Sequence, residues 1–285
     1  MAKLDGKVAF VTGVARGQGR SHALTLAREG AAIIGIDICQ QIDTVPYAMS
    51  TPNDLEETVR LVEEAGGKIH VQQADIRDLD AVKGAVDGGM DLFGRLDVVV
   101  ANAATINGLG PLWEIPEQEF RDQWEVNVGG AWHTIKATVP TLLEQGEGGS
   151  IILTASMVGL ASETNIGHYS ASKYGVIGLM KNLSVELAPH SVRVNTVCPT
   201  AVNTPMIMHE EFYSLFSGGT GNRLEDALPA MQGLNALPVP FLEPSDVSKT
   251  VLYLACDDSR YVTGTNAVVD AGALLPFKIP HPATT

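Results

Sequence analysis

Short apolar runs alternate with stretches of helical spacing along most of the chain. Strand candidates fall at 7–12, 31–37, 68–73, 96–101, 149–155, 192–198 and 266–270. Several are apolar nearly throughout, as in strands covered by helices on both faces. Between the strands the period lengthens. Residues 53–66 place Leu55, Val59 and Val62 at intervals of four and three, which predicts a helix. Thr51, Pro52 and Asp54 supply its cap, its first-turn proline and its capping-box acid. This alternation predicts an α/β fold: one Rossmann-type, doubly wound parallel sheet of about seven strands flanked by helices. No linker-like stretch divides residues 1–285, so a single domain is expected.

Two segments break the rhythm. Residues 38–52 (ICQQIDTVPYAMSTP) follow the second strand. They far exceed the usual connection of about 2–6 residues and read as an insertion. Residues 199–243 carry prolines, glycines and aromatics without a clear period. Their apolar content (Met206, Ile207, Met208, Phe212, Tyr213, Leu215, Phe216) predicts a substrate lid rather than a disordered tract.

Composition changes the picture in a few places. Apolar residues make up 45% of the 285, enough for a sizeable core. No apolar run reaches about 18 residues, so no membrane span is expected. The N-terminus runs straight into a strand and is unlike a signal peptide. Cys39, Cys198 and Cys256 are odd in number and far apart, which predicts a reducing, cytoplasmic setting. No Cys/His spacing suggests zinc, and no metal is expected. The formal charge of −14 disfavours nucleic acid and anionic membrane as partners. An anionic cofactor would have to be held by local geometry.

Such geometry is visible at the end of the first strand, in Thr12-Gly13-Val14-Ala15-Arg16-Gly17-Gln18-Gly19. Glycines there let the backbone turn tightly and approach a diphosphate, and a following helix offers free N–H groups to that anion. A glycine turn that only packs is the plainer alternative. The second strand ends at Asp37, where an acid can accept from both adenosine ribose hydroxyls and repel a 2′-phosphate. That favours NAD over NADP, although Arg16 could pair a 2′-phosphate; a merely solvated strand-end acid is the other reading of Asp37. Asp75 and Ile76 follow the third strand, and Asn102, Ala103 and Ala104 follow the fourth. Both groups lie at carboxyl ends of parallel strands, where open sheets bind ligands. No GxxxxGK[ST] sequence occurs, which speaks against a nucleotide hydrolase.

Tyr169 and Lys173 are four residues apart in a helical stretch and so share a face. Ser156 lies 13 residues earlier, just past the fifth strand. Such a Tyr/Lys pair alone is common by chance; its place in an ordered set with the glycine turn, Asp37, Asn102 and Asn127 carries the signal. With these residues in order, the sequence resembles the short-chain dehydrogenase/reductase family over about residues 5–273. The resemblance implies catalytic roles for Asn127, Ser156, Tyr169 and Lys173. It implies NAD contacts from Gly13, Ala15, Arg16, Gly17, Gln18, Gly19, Asp37, Ile38, Asp75, Ile76, Asn102, Ala103, Ala104, Tyr169 and Lys173. After the sixth strand, Pro199, Val202, Thr204 and Met206 fall where the family holds the nicotinamide carboxamide. One departure is Ala104, where the family pattern has glycine.

The implied chemistry is hydride transfer between NAD(H) and an alcohol or ketone. A tyrosine with its usual pKa near 10 would be drawn toward phenolate by Lys173 and the cationic nicotinamide. Ser156 would orient the substrate oxygen, and Asn127 would position a relay water. The insertion opening Asp37-Ile38-Cys39, with Arg20-Ser21-His22, Pro205-Met206 and Leu237-Pro238-Val239-Pro240, is similar to the actinobacterial carveol dehydrogenase-like subgroup. That subgroup is associated with the redox cofactor mycofactocin and is thought to retain its NAD. By this resemblance the substrate is a secondary alcohol of the cyclic terpene kind, the assembly is a homotetramer pairing helices near 117–145 and 167–188, and residues 38–52 cover the adenosine end. Met206, Met208, Trp113 and Phe216 are candidate pocket residues or core. His168 is a candidate substrate contact, with helix packing or solvent favoured. The tail after Gly272 is proline-rich and is expected to fray or reach a neighbouring subunit. Rival readings are a dehydrogenase of another apolar or steroid-like alcohol with exchangeable cofactor, a lyase or epimerase using NAD transiently, and a non-catalytic NAD-binding protein.

Overall fold

A computed structural model describes residues 2–278; the tail beyond Lys278 lies outside the described residues. Seven strands form one parallel sheet: β1 (Val8–Thr12), β2 (Ala32–Asp37), β3 (Lys68–Gln73), β4 (Val98–Ala101), β5 (Gly149–Thr154), β6 (Val192–Pro199) and β7 (Asn266–Val269). Their spatial order is β3-β2-β1-β4-β5-β6-β7. The chain reverses direction across the sheet between β1 and β4, which opens a crevice above their carboxyl ends. Every strand falls within a residue or two of its expected position.

Side-chain alternation sends Phe10, Ile34 and Ile36 to one face and Ala9, Val11 and Ile33 to the other. The first face packs on α3 (Leu79–Phe93), α5 (Gly130–Gln145) and α6 (Gly167–Leu187), through Val82, Ile135 and Met180. The second packs on α1 (Gly17–Arg28), α2 (Pro52–Glu64) and α9 (Pro244–Ala255), through Leu26, Val62 and Val251. Helix α2 opens as its residues predict: Thr51 accepts from the Asp54 amide and Asp54 reaches back to the Thr51 amide. It closes at Glu64, two residues early, because Gly66 turns the chain at φ +82°.

Residues 38–51 form no helix or strand yet are compact, and Pro52 already opens α2. The Gln41 amide donates to the carbonyls of Ile42, Val45 and Tyr47 and accepts from the Met49 N–H. Thr44 donates to Asp122 on α4 (Glu117–Trp124). Ile42, Val45 and Tyr47 are buried. Residues 199–243 contain α7 (Glu210–Phe216) and α8 (Leu224–Leu234). These two helices have 7 and 11 residues, too short to register as a period in the sequence.

Candidate active site

Two contiguous cavities occupy the crevice, with empty volumes of about 870 and 790 Å³. Gln18, Asn102, Ala104, Thr204 and Met206 border both. The first is floored by the turn from β1 into α1. Gly13 and Gly17 adopt φ of +70° and +55°, a region that disfavours side chains. A Cβ on Gly19 would stand 1.9 Å from the Gly13 carbonyl oxygen. The glycines are therefore required by the turn itself, and they leave the start of α1 bare toward the cavity. Arg16 at the N-cap makes no side-chain cap bond, so the first N–H groups of the helix face a site suited to an anion. The Gln18 side-chain amide oxygen, Oε1, is buried without a partner at this same rim.

Asp37 closes one side of this cavity, where the sequence predicts the adenosine ribose. Its carboxylate accepts from the Ala15 amide at 2.9 Å, from the Cys39 amide and from the Ser50 hydroxyl. These bonds fix its orientation at the cavity wall and leave an acceptor site on Oδ2, the oxygen bonded to Ala15 alone. Ile38, Asp75, Ile76, Asn102, Ala103 and Ala104 line the wall beside it. Asp75 is held by Arg77 at 2.6 Å. Ala15 is fully buried behind the wall, and its amide is the Asp37 donor. Ala104 has no positive φ, so the departure from glycine imposes no backbone strain. The insertion contributes Ile42, Tyr47, Met49 and Ser50 to this cavity. Sequence reasoning named the segment but not these side chains, because a loop without a period does not show which residues turn inward.

The second cavity holds Ser156, Tyr169 and Lys173 together with Pro199, Val202, Thr204 and Met206. Ser156 follows β5, and its hydroxyl accepts from the Val158 amide that starts a short 3-10 turn. Tyr169 and Lys173 lie one turn apart on α6, and the Lys173 ammonium is 5.5 Å from the Tyr169 ring centre. Lys173 is buried and donates to the Thr154 carbonyl at 2.9 Å. Burial lowers its pKa to about 8. Burial also pushes the Tyr169 phenol well above its usual range, opposed by the Ser156 hydrogen bond and reinforced by the nearby Tyr47. Lys173 is not among the groups that move the Tyr169 phenol here, where burial dominates; the pull toward phenolate expected of Lys173 together with a cationic nicotinamide belongs to the bound state.

Asn127 is absent from both cavity walls. It is buried in a π-helical turn, Glu125–Gly129, that joins α4 to α5. Its side chain bonds both backbone groups of Thr105 and donates to Ser172 at 3.1 Å. Thr105 lines the first cavity, so Asn127 braces that wall from behind. Such a π-turn shifts backbone groups out of α-helical register and has no sequence period that would reveal it. His168 is buried and bonds the Asn107 carbonyl, a packing role rather than a cavity contact. Met206 and Phe216 line the second cavity, whereas Met208 faces an outer groove. Trp113 is 85% exposed and lines neither cavity: its 3-10 turn, Leu112–Glu114, lies outside the crevice.

Comparison with known proteins decides the family. The family model described as short chain dehydrogenase matches residues 7–211. This chain belongs to the short-chain dehydrogenase family. A (−)-trans-carveol dehydrogenase of Rhodococcus erythropolis is 46% identical, across 96% of this chain and 100% of its own length. The structure of a carveol dehydrogenase from Mycobacterium avium in complex with NAD superposes with a TM-score of 0.95 at 49% identity, covering 96% of this chain and 100% of that one. A short chain dehydrogenase from Mycobacterium paratuberculosis bound to NAD aligns at 0.85 and 42% identity, over 95% of this chain and 98% of that one. The match to these short-chain dehydrogenases thus extends over nearly the whole chain.

Proposed function

We propose that this protein is an NAD-dependent dehydrogenase that carries hydride between NAD(H) and a secondary alcohol or its ketone, with a carveol-like cyclic terpene alcohol as the substrate type. The single observation that carries this reading is the meeting of Ser156, Tyr169 and Lys173 in a largely apolar cavity that opens directly onto the glycine cradle of α1. The cradle fits a dinucleotide: side-chain-free turns, bare helix N–H groups, an unpartnered Gln18 oxygen, and an oriented carboxylate on the ribose side. NAD, when bound, supplies the hydride acceptor and, in its oxidised form, a positive charge in the same cavity.

The chain's own residues do the rest. Ser156 holds the substrate oxygen within reach of Tyr169. Tyr169 takes the hydroxyl proton during oxidation and returns it during reduction. Positive charge brought into the cavity opposes the burial that raises this phenol, so cofactor occupancy favours proton removal. Lys173, anchored by the Thr154 carbonyl, holds the ribose side of the cofactor and supplies a cation that is still mostly protonated at neutral pH. Asn127 and Ser172 stiffen the Thr105 wall.

Finer features belong to the same proposal. Ile42, Tyr47, Met49 and Ser50 roof the adenosine side, which supports retention of NAD and electron transfer onward to an acceptor such as mycofactocin. Residues 199–243 act as the substrate lid, with Met206, Ile207, Phe212 and Phe216 on its inner face. Cys39, Cys198 and Cys256 are buried and unpaired, in keeping with a cytoplasmic enzyme. A homotetramer is supported by the aromatic residues left exposed on α4, α5 and α6.

The test is direct. The purified protein is denatured and the supernatant assayed for NAD; intact protein is then given secondary alcohols with and without an artificial electron acceptor. Bound NAD near one per chain, with turnover only when the acceptor is present, is the expected result. Empty protein that reduces added NAD would overturn the retention reading and leave the dehydrogenase reading standing. No redox turnover under either condition would sink both.

A further inference from the structure

The wall facing Ser156 and Tyr169 is apolar over most of its extent: Met157, Val158, Ile166, Ile207, Phe212 and Leu234. One side chain breaks it. Glu163 lines the same cavity and, among the described residues, makes no hydrogen bond or ion pair. Burial raises its pKa above the usual carboxyl range, with only Lys278 of the C-terminal segment opposing that rise. The other ionisable groups of the cavity are Tyr169 and Lys173, and the Lys173 ammonium bonds the Thr154 carbonyl rather than Glu163. Nothing in the proposed chemistry uses Glu163.

The loop that carries Glu163 is held in place. Asn165, at φ +65°, accepts from the Gly110 amide at 2.9 Å, and Ile166 is buried next to it. Glu163 is partly exposed, and the part of its hydration given up at this apolar wall is not replaced by a protein partner. A ligand that donates a hydrogen bond to it recovers that loss, and one that presents only carbon there does not.

We infer that Glu163 is a specificity-determining residue that selects alcohols carrying a second hydrogen-bond donor, a hydroxyl, remote from the carbon that is oxidised. The inference rests on the dehydrogenase reading of the site and narrows its substrate class: a cyclic diol or hydroxyketone fits this cavity better than a cyclic mono-alcohol of the same skeleton. The first oxygen goes to Ser156 and Tyr169, the second to Glu163, and the ring lies between them against Phe212 and Ile166. Such a two-point grip also fixes which face of the carbinol carbon meets the cofactor.

The experiment compares cyclohexanol with cyclohexane-1,3-diol and cyclohexane-1,4-diol as substrates for the wild type, E163Q and E163L. Calorimetric binding of the same compounds is read alongside kcat/KM, and a thermal melt of each variant reports its folding. The wild type is expected to favour the better diol over cyclohexanol by about tenfold or more in both readouts. E163L should bring that ratio to within about twofold, and E163Q should keep part of it because its amide oxygen still accepts. An unchanged ratio in a folded E163L, or a wild-type preference for cyclohexanol, would overturn the inference. Should no alcohol be oxidised, the dehydrogenase reading fails by itself, and the calorimetric ratio still decides for or against Glu163.

Discussion

At the scale of single residues, the site depends on a few atoms whose replacement has a sign that can be worked out beforehand. Tyr169→Phe removes the hydroxyl proposed to exchange the substrate proton while keeping the ring. Turnover should fall by about 10²–10⁴-fold with bound NAD and melting temperature nearly unchanged; turnover within tenfold of wild type would reassign the acid/base role. Gly19→Ala is the opposite kind of change. Its Cβ would overlap the Gly13 carbonyl oxygen at 1.9 Å, and neither atom can move without reshaping the turn. NAD content after purification should drop to near zero, as measured in the denatured supernatant. The chemistry-bearing residues were legible in the sequence because backbone geometry and proton transfer tolerate few residue types. Glu163 and Ser172 were not, since a Glu in a loop or a Ser in a helix is ordinary until its surroundings are known. Asn127 was legible as a position, but its bonds to Thr105 and Ser172 depend on a π-turn that leaves no pattern along the chain.

At the scale of elements, the seven strands and the start of α2 were readable because each satisfies a local rule: an apolar run of strand length, or a cap followed by proline. Helices α7 and α8 were not, because 7 and 11 residues cannot display a period, and their apolar residues turn toward a cavity that only the fold creates. The insertion makes its own prediction. Tyr47 is buried, its hydroxyl accepts from the Ile106 amide, and its ring stacks 5.3 Å from His209. It therefore links the roof of the adenosine side to the start of α7. Tyr47→Ala should speed NAD loss by roughly tenfold or more, as expected when a buried aromatic anchor is truncated. Tyr47→Phe, which keeps the ring, should stay within a few-fold, and stopped-flow displacement of NAD reads both. Packing of α1 on α9 yields a pH effect. His22 is fully buried, its Nδ1 bonds Ser248 at 2.8 Å and its Nε2 has no partner. Burial lowers its pKa from 6.5 to about 3. Below pH 6.5 the unfolded chain binds a proton there that the folded chain refuses, so stability is full above pH 6.5 and falls as pH drops toward 3. Urea midpoints measured across that range should decline, by less in His22→Asn than in the wild type.

The whole molecule poses the question of what covers its exposed aromatic side. Phe120 and Trp124 of α4, Trp132 of α5 and Tyr174 of α6 are all more than 40% exposed, and Val185 near the end of α6 is 74% exposed. They lie on α4, α5 and α6, and Trp124 approaches Gly175 across the α4–α6 contact. Scattered apolar residues on a surface need no explanation, but large aromatics concentrated on adjoining helices are what supports the proposed interface between copies. With a net charge of −14, two copies would repel at long range, so association has to come from burial of this face rather than from charge. That assigns the sign of the salt effect: added salt screens the repulsion and should tighten the assembly, whereas an interface held by ion pairs would loosen. Light scattering on the wild type should report four copies from low to high salt. A Trp124→Glu/Tyr174→Glu double variant places charge in the buried face and should shift the mass to dimer or monomer at low salt, with partial recovery as salt rises. Because both cavities are built from residues of one chain, that variant should still hold NAD. A monomeric wild type would leave these aromatics without a role, and loss of NAD on dissociation would mean that the partner copy supports the roof formed by residues 38–52.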